Sequence, residues 1–383
     1  MRRYFSAAVA SVLIAASSAA QPQRALVTVL NTAPLARESE SIQVPLRDLS
    51  ALRGEPGSTL VVRSQGPSAP VVSQVIAGYL LFQSDFSPGE KKEFTVTREK
   101  SSGPSPEPRV AGMFVLPRED YAWENDRIAF RMYGPALAAE VNNGIDVWTK
   151  RTRSLVVAKW YREAESAPAG HDPYHADRGE GADFFDVGRS LGAGGCALWD
   201  GGKVHQPGVF SSWKTLANGP IRTEFELLYG PVTIRGEALK ARMTVALDAG
   251  QNLNRIQVTY EGRRAGENVL VACGLVKRAA TTISSDAYRG WIGLWGPTNR
   301  DPVNGSLGTG VVIGRSGLLQ FAQDSVHYLV IAEAVTGEPF TYYAGAGWTR
   351  SGDVATREEW NAMLDRRARL IDSPLRVSCI IPE

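Results

Sequence analysis

The chain has 383 residues, with 42 lysine and arginine side chains against 40 aspartate and glutamate, so its formal charge is only +2. A charge that small gives no field to hold nucleic acid or an anionic membrane surface. Three cysteines, Cys196, Cys273 and Cys379, are too scattered for a metal knuckle or a disulfide framework, although one bridge plus one free thiol suits an oxidising compartment.

Arg2 and Arg3 are followed by an apolar run, Tyr4 to Ala16, and then by Ser18-Ala19-Ala20. Charged, apolar and small residues in that order read as a secretory signal peptide over residues 1–20. The expectation is a secreted, periplasmic protein whose mature chain starts near Gln21 with its charges balanced. The run is too short to cross about 30 Å of hydrocarbon and no later stretch is longer, so no membrane span is expected. A mature chain of this length outgrows one ordinary core, which predicts two domains or one very large β-sandwich.

Residues 21–98 give short β-rich runs, ALVTVL, TLVVR, PVVSQVI and EFTVT, punctuated by glycine, proline and serine. They predict a small N-terminal β-sandwich module. Within it, GYLLFQSDFSPGEKKEFTV reads as two strands joined at Pro88-Gly89, a dipeptide suited to a turn. EKSSGPSPEPR, residues 99–109, has three prolines, three serines and no large apolar side chain, and reads as a semi-rigid linker.

Residues 110–383 carry further strand-like segments: DRIAFRMYG, SLVVAKWYR, IRTEFELLYG, ALKARMTVALD, NRIQVTYEG, NVLVACGLV, GWIGLWG, TGVVIG, HYLVIAEAV and LRVSCII. Apolar and polar residues alternate in several of them, as around Phe225 and Leu227, which fits antiparallel sheets with one wet face. The fold class is all-β. Cys273 and Cys379 fall inside two of these runs and read as small buried side chains. One helix is predicted, where Thr356 and Glu359 form a capping box and Trp360, Met363, Leu364, Arg367 and Ile371 keep helical spacing until Pro374.

The segment HDPYHADRGEGADFFDVGRSLGAGG, residues 171–195, has neither periodicity. It holds two of the four histidines, His171 and His175, next to Tyr174, Asp177 and Arg178, and reads as a long loop. Ordered long loops on a rigid scaffold are where catalytic and binding groups collect. The plain alternative is a surface turn with scattered polar residues.

Abstracting the proton beside a uronate carboxylate needs a base, and a cation to neutralise the enediolate that develops. His175 and Tyr174 are the candidate base and acid, with His171, Asp177 and the outlying His205 as further catalytic candidates. Arg178 or Arg189 is the candidate carboxylate clamp, because a guanidinium binds a carboxylate through two parallel hydrogen bonds. His327 opens a strand-like run and reads as structural. Nine tryptophans exceed what this core needs, so some, such as Trp148 beside Asp146, are candidate sugar platforms even though core packing is the usual role of any one of them. A glycosidase is the rival enzyme, with Asp177, Glu180, Asp183 and Asp186 supplying carboxylates at a separation the sequence leaves open. A divalent cation on His175, Asp177 and a distant residue also stays open, while Pro173 and the glycines argue against a helical pair of ligands at His171 and His175. GRSLG, residues 188–192, matches GxSxG in spacing only, inside the glycine-rich segment and without the strand and helix of a nucleophile elbow, so serine chemistry is not supported.

The segments YAWENDRIAFRMYGPAL, NNGIDVWTKR, YHADRGEGADFFDVGRSLGAGG, GPIRTEFELLYGP and YYAGAGWTRSGD together resemble a bacterial family of exported proteins catalogued as a domain of unknown function. Its members are typically encoded among genes for using pectin, ulvan and other uronic-acid polysaccharides. The likeness runs from about Gly112 to the C-terminus, with the preceding region matching only loosely. It implies a galactose-mutarotase-like supersandwich that acts on uronic-acid oligosaccharides by β-elimination or dehydration, with hydrolysis or plain carbohydrate binding as alternatives. By the same resemblance Tyr174, His175, Asp177, Gly179, Asp183 and the Gly192 to Gly195 run belong to the site, joined by Trp348 and Arg350.

Overall fold

A computed structural model describes residues 23–66, 69–100, 105–168, 174–298 and 302–382. The N-terminal module is two facing antiparallel sheets. In the first, Ala25–Leu30 lies between Lys91–Lys100 and the C-terminal strand Arg376–Ile380, with Ser58–Ser64 beyond. In the second, Tyr79–Phe86 lies between Arg37–Pro45 and Ser73–Ile76. Strict alternation in the first strand turns Ala25, Val27 and Val29 inward, onto Val44, Phe82, Phe94 and Val96. The two strands on either side of Pro88-Gly89 belong to different sheets, so that turn is a corner of the sandwich. The final strand, placed by sequence order in the large domain, pairs Val29 with Val377 and closes the module's edge. It covers the backbone of the first strand and becomes the sheet's own edge strand.

The large part of the chain stacks an eight-stranded antiparallel sheet against two five-stranded ones. The eight strands run in the order 210–218, 222–234, 237–248, 253–261, 339–348, 306–312, 291–297 and 282–286. One five-stranded sheet holds Gly181–Asp183, Asp146–Lys150, Ala129–Met132, Asp120–Asn125 and Val110–Val115. The other is centred on Asn268–Val276, and a parallel bridge from Ile145 to Gly192 joins it to the first. One continuous core fills the space between the layers, with Trp123, Phe130, Phe225, Leu227, Val271 and Tyr342 all buried. This is the all-β supersandwich. Cys196 faces Cys273 across two of its strands, both buried and unbridged.

Among the described residues two α-helices lie on the outer faces. The predicted one, α2 (Arg357–Asp372), is capped as expected, with Thr356 Oγ1 accepting from the Glu359 amide at 3.2 Å. It lies on the eight-stranded sheet. The other, α1 (Val157–Ser166), replaces the strand expected in SLVVAKWYR. Val157, Trp160 and Tyr161 are spaced three and four apart and all face the first five-stranded sheet, which is a helical period that β-rich composition concealed. The Glu124 carboxylate fixes its start by accepting from the amides of Val156 at 3.0 Å and Val157 at 2.7 Å, so the cap comes from a distant strand.

Of the segment expected as a linker, residues 99 and 100 extend a strand, and Arg109 bonds to the large sandwich through Asp126 at 2.6 Å. The expected signal peptide and His171 lie outside the described residues. Among the described residues no helix is long and apolar enough to cross a membrane.

Candidate functional site

Alternation along the strands gives the first five-stranded sheet an inner apolar face and an outer polar one. Ile128, Phe130 and Met132 enter the core, so Ala129 and Arg131 project outward, while Tyr133, just past the strand, packs its ring against the core and reaches the outer charges with its hydroxyl. The neighbouring strand places Asp146, Trp148 and Lys150 on that same face. Register sets Asp146 beside Arg131, Trp148 beside Asp183, and Ala122 on the other flank of Arg131. The helix α1 and the loop after residue 173 close over this face.

Arg131 is its centre. Its Nε donates to Asp146 Oδ2 at 2.8 Å, and its Nη2 donates to Asp183 Oδ2 at 3.0 Å and to Tyr133 Oη at 2.8 Å. Tyr133 Oη in turn donates to Asp146 Oδ2 at 3.1 Å, as does Trp148 Nε1. Burial opposes the charge on Arg131, but the carboxylates around it outweigh that and hold its pKa well above the ordinary value. Burial and the nearby Asp183 carboxylate push Asp146 up to about 7, with Arg131 pulling the other way.

His175 is the accessible end of this array, 22% exposed, with Nε2 at 3.1 Å from Asp183 Oδ2. A carboxylate paired with Arg131 accepts only, so Nε2 carries the proton of this hydrogen bond. Tyr174 precedes it, stacked on Trp148 with 4.8 Å between ring centres. Its carbonyl accepts from the Asp183 amide at 2.7 Å, which ties the loop to the sheet. Burial holds the Tyr174 hydroxyl above its usual range, so it is a proton donor at neutral pH. The half-buried Arg118 lies 5.6 Å from the centre of the Tyr174 ring and makes no hydrogen bond or ion pair among the described residues. Asp120 Oδ2 accepts from Tyr161 at 3.0 Å, while its buried Oδ1 has no partner among the described residues. Burial raises this carboxyl above the usual carboxylate range.

The sheet thus brings together Tyr174, His175, Asp183, Asp146 and Trp148. Asp177 stands apart and organises the loop: Oδ1 accepts from the amides of Gly179 and Gly181, and Oδ2 pairs with Arg151 at 2.9 Å and Arg350 at 3.7 Å. Burial raises its pKa, but these donors outweigh that and hold it low. Gly179 and Gly181 have φ of 104° and 114°, which glycine adopts without strain. Arg178 is exposed, and Arg189 is an exposed side chain that donates to the Ala139 carbonyl at 2.7 Å. His205 sits on the short strand Lys203–His205, opposite Leu198 in the other five-stranded sheet. Trp148 and Trp348 are each 1% exposed, so neither ring has a face open to a sugar. Both are packed in the fold, Trp348 with its Nε1 donating to the Asn304 carbonyl at 2.8 Å. Glu180 is tied to Lys159 at 2.9 Å. His327 is structural: Nε2 accepts from the Leu191 amide at 3.0 Å and Nδ1 faces Asp324. No three His, Cys, Asp or Glu side chains among the described residues are grouped to hold a metal ion.

Arg131, Tyr133, Asp120, Tyr161 and Arg118 escaped the sequence reading. A signal was present, because Arg131 and Tyr133 alternate with core residues just as Asp146 and Trp148 do in IDVWTK, so two strands offered complementary charges with the same period. Knowing that they are neighbours takes the register.

An outer sheet face with a buried arginine, three carboxyls and one accessible histidine defines a supersandwich protein with a polar site beneath a helix. The chain belongs to the family described as a domain of unknown function, DUF4861, whose model matches residues 29–377. The match therefore also takes in most of the N-terminal module, where the resemblance in the sequence was loose. "Uncharacterized protein P7" of Formosa agariphila is 28% identical over 400 residues, covering 98% of each chain. Among solved structures, a protein in glycosyl hydrolase family 38 from Enterococcus faecalis aligns with 94% of this chain at a TM-score of 0.49 and 10% identity. An alpha-mannosidase from the same organism aligns with 93% at 0.47 and 7%. The chain spans about half the length of each, 48% and 46%.

Proposed function

We propose that the protein is a carbohydrate-active enzyme that eliminates across the C4–C5 bond of a uronic-acid residue, with cleavage or dehydration set by what leaves C4. The observation that carries this is the accessible His175, oriented by Asp183, which is itself anchored to the buried Arg131. His175 takes the C5 proton, and Asp183 stabilises the imidazolium that forms. The electrons of the C5–H bond become the C4–C5 double bond as the C4–oxygen bond breaks. Tyr174, kept protonated by burial, gives its proton to the departing oxygen. Arg118 is the uncommitted guanidinium at the site and holds the uronate carboxylate, a role for which the exposed Arg178 and Arg189 were the candidates from sequence. The expected export to the periplasm suits a protein meeting oligosaccharides from outside the cell.

Incubation with saturated oligosaccharides from pectin, ulvan and alginate tests this, read by near-ultraviolet absorbance and product mass. New absorbance with shorter chains marks a lyase, and new absorbance with loss of water marks a dehydratase. A gain of water without absorbance replaces elimination with hydrolysis. Binding without any product replaces catalysis with recognition.

A further inference from the structure

A cavity of about 150 Å³ lies where the N-terminal module meets the outer face of the eight-stranded sheet. It is assembled from both parts of the chain. Register places Arg255 between Ala246 and Tyr343 on adjacent strands, and the small Ala246 side chain leaves open the space beside the guanidinium. Arg367 reaches in from α2 and lies over the Tyr343 ring at 5.1 Å. Ser39 and Gln43 line it from the module.

The charges do not cancel. Asp248 is neutralised by Arg222, with Nη2 to Oδ2 at 2.8 Å, and Glu40 by Arg37 at 3.2 Å. Arg367 makes one neutral hydrogen bond, to Gln251 Oε1 at 2.6 Å. The Arg255 side chain makes no hydrogen bond or ion pair among the described residues. Arg367 also helps to hold the Asp248 carboxyl low, but Asp248 is bonded to Arg222, so two half-buried guanidinium groups share the cavity without a salt bridge of their own, next to an aromatic ring. Leaving cations partly desolvated and unpaired is costly, and an anion that bridges them removes that cost.

We propose that this junction is an anion-binding subsite that takes a sugar ring carrying a carboxylate or sulfate, with Arg255 and Arg367 on the anionic group and Tyr343 beside the ring. The sugar part of this assignment rests on the function proposed for the His175 site, whereas the anionic part rests on the arginines alone. A ligand here holds the module against the large sandwich and gives an oligosaccharide a second point of attachment.

Calorimetric titration of the full chain with glucuronate, glucose and inorganic sulfate tests the subsite, using His175→Ala, Arg118→Met, Arg255→Met and Arg367→Met variants. Glucuronate and sulfate should both bind the His175→Ala and Arg118→Met proteins, because the subsite is intact in each. Introduced into the Arg118→Met protein, where the His175 site has lost its carboxylate holder, Arg255→Met and Arg367→Met should each weaken that binding about tenfold, the loss of one charge-assisted hydrogen bond. Thermal melting should stay within a few degrees of wild type for Arg255→Met, since that side chain has no partner to lose. Sulfate binding without glucuronate binding supports the anion site and overturns its assignment to a uronate ring. Failure of both anions to bind, or binding that the two arginine variants leave unchanged, overturns the proposal, and neither result depends on whether elimination occurs at His175.

Discussion

Each outer face of the large sandwich carries a helix, and the two contacts are built from opposite materials. Beneath α2 the eight-stranded sheet is floored with glycine. A Cβ at Gly308 would lie 2.7 Å from Trp360 Cγ, and one at Gly310 would lie 2.6 Å from Leu364 Cδ2. Removing those side chains lets Trp360, Leu364 and Ala368 sink to full burial against Val312 and Trp291. Beneath α1 the five-stranded sheet presents Arg131, Asp120, Asp146, Lys150 and Glu124, all buried. A face built for adhesion alone would be cheaper in hydrocarbon, because desolvating ion pairs costs several kcal/mol per ion in order-of-magnitude terms. The difference separates a contact made of hydrocarbon from one made of desolvated, paired charge.

The sharpest way to break this contrast is His175→Ala, which should lower turnover by about 10²–10⁴-fold while changing sugar affinity only a few fold. Equal loss of affinity and turnover in steady-state kinetics would make His175 a binding group. Next in size are two core changes with different readouts. Trp360→Ala should cost about 3–5 kcal/mol in denaturant unfolding yet spare the turnover of the folded fraction. Arg131→Met should cost a similar ~3–5 kcal/mol, because Asp146 and Asp183 are left buried without their cation, and should also lower turnover by loosening Asp183. An Arg131→Met protein as active as wild type would remove the array from the mechanism.

Gly308→Ala should cost about 1–3 kcal/mol by pushing Trp360 off the sheet, again with activity retained. The smallest effect is a pH slope. Because burial raises the Asp120 pKa, the folded state holds its proton more tightly than the unfolded chain. That contribution to stability is present below the ordinary carboxyl range near ~3.9 and is lost as pH rises through the raised value. Asp120→Asn should flatten this slope in melting experiments run upward from about pH 4.

Legibility in the sequence follows the same contrast. The α2 contact was half visible: its cap and apolar spacing are local, although the glycines of GWIGLWG and YYAGAGWTRSGD gave no hint that they floor a tryptophan. The α1 contact was not visible as a helix, because Val156, Val157, Trp160 and Tyr161 are β-favouring residues and the capping carboxylate, Glu124, lies 32 positions before Val156. Within the site, Tyr174, His175 and Asp183 could be chosen because they crowd one loop of unusual composition. Arg131 could not, since an arginine in a strand reads as a wet-face residue until something covers that face.

What the sequence determined by itself was the all-β class, most strand positions, the helix from Thr356 onward and the loop that carries His175. These depend on periodicity, turn residues and caps, which act over a few neighbouring positions. Tertiary structure alone decided that the last strand returns to the first sheet, that Arg118 stands beside Tyr174, and that Arg131 links Asp146 to Asp183. Those facts depend on strand order and register, in which residues dozens of positions apart meet within about 5 Å across a sheet.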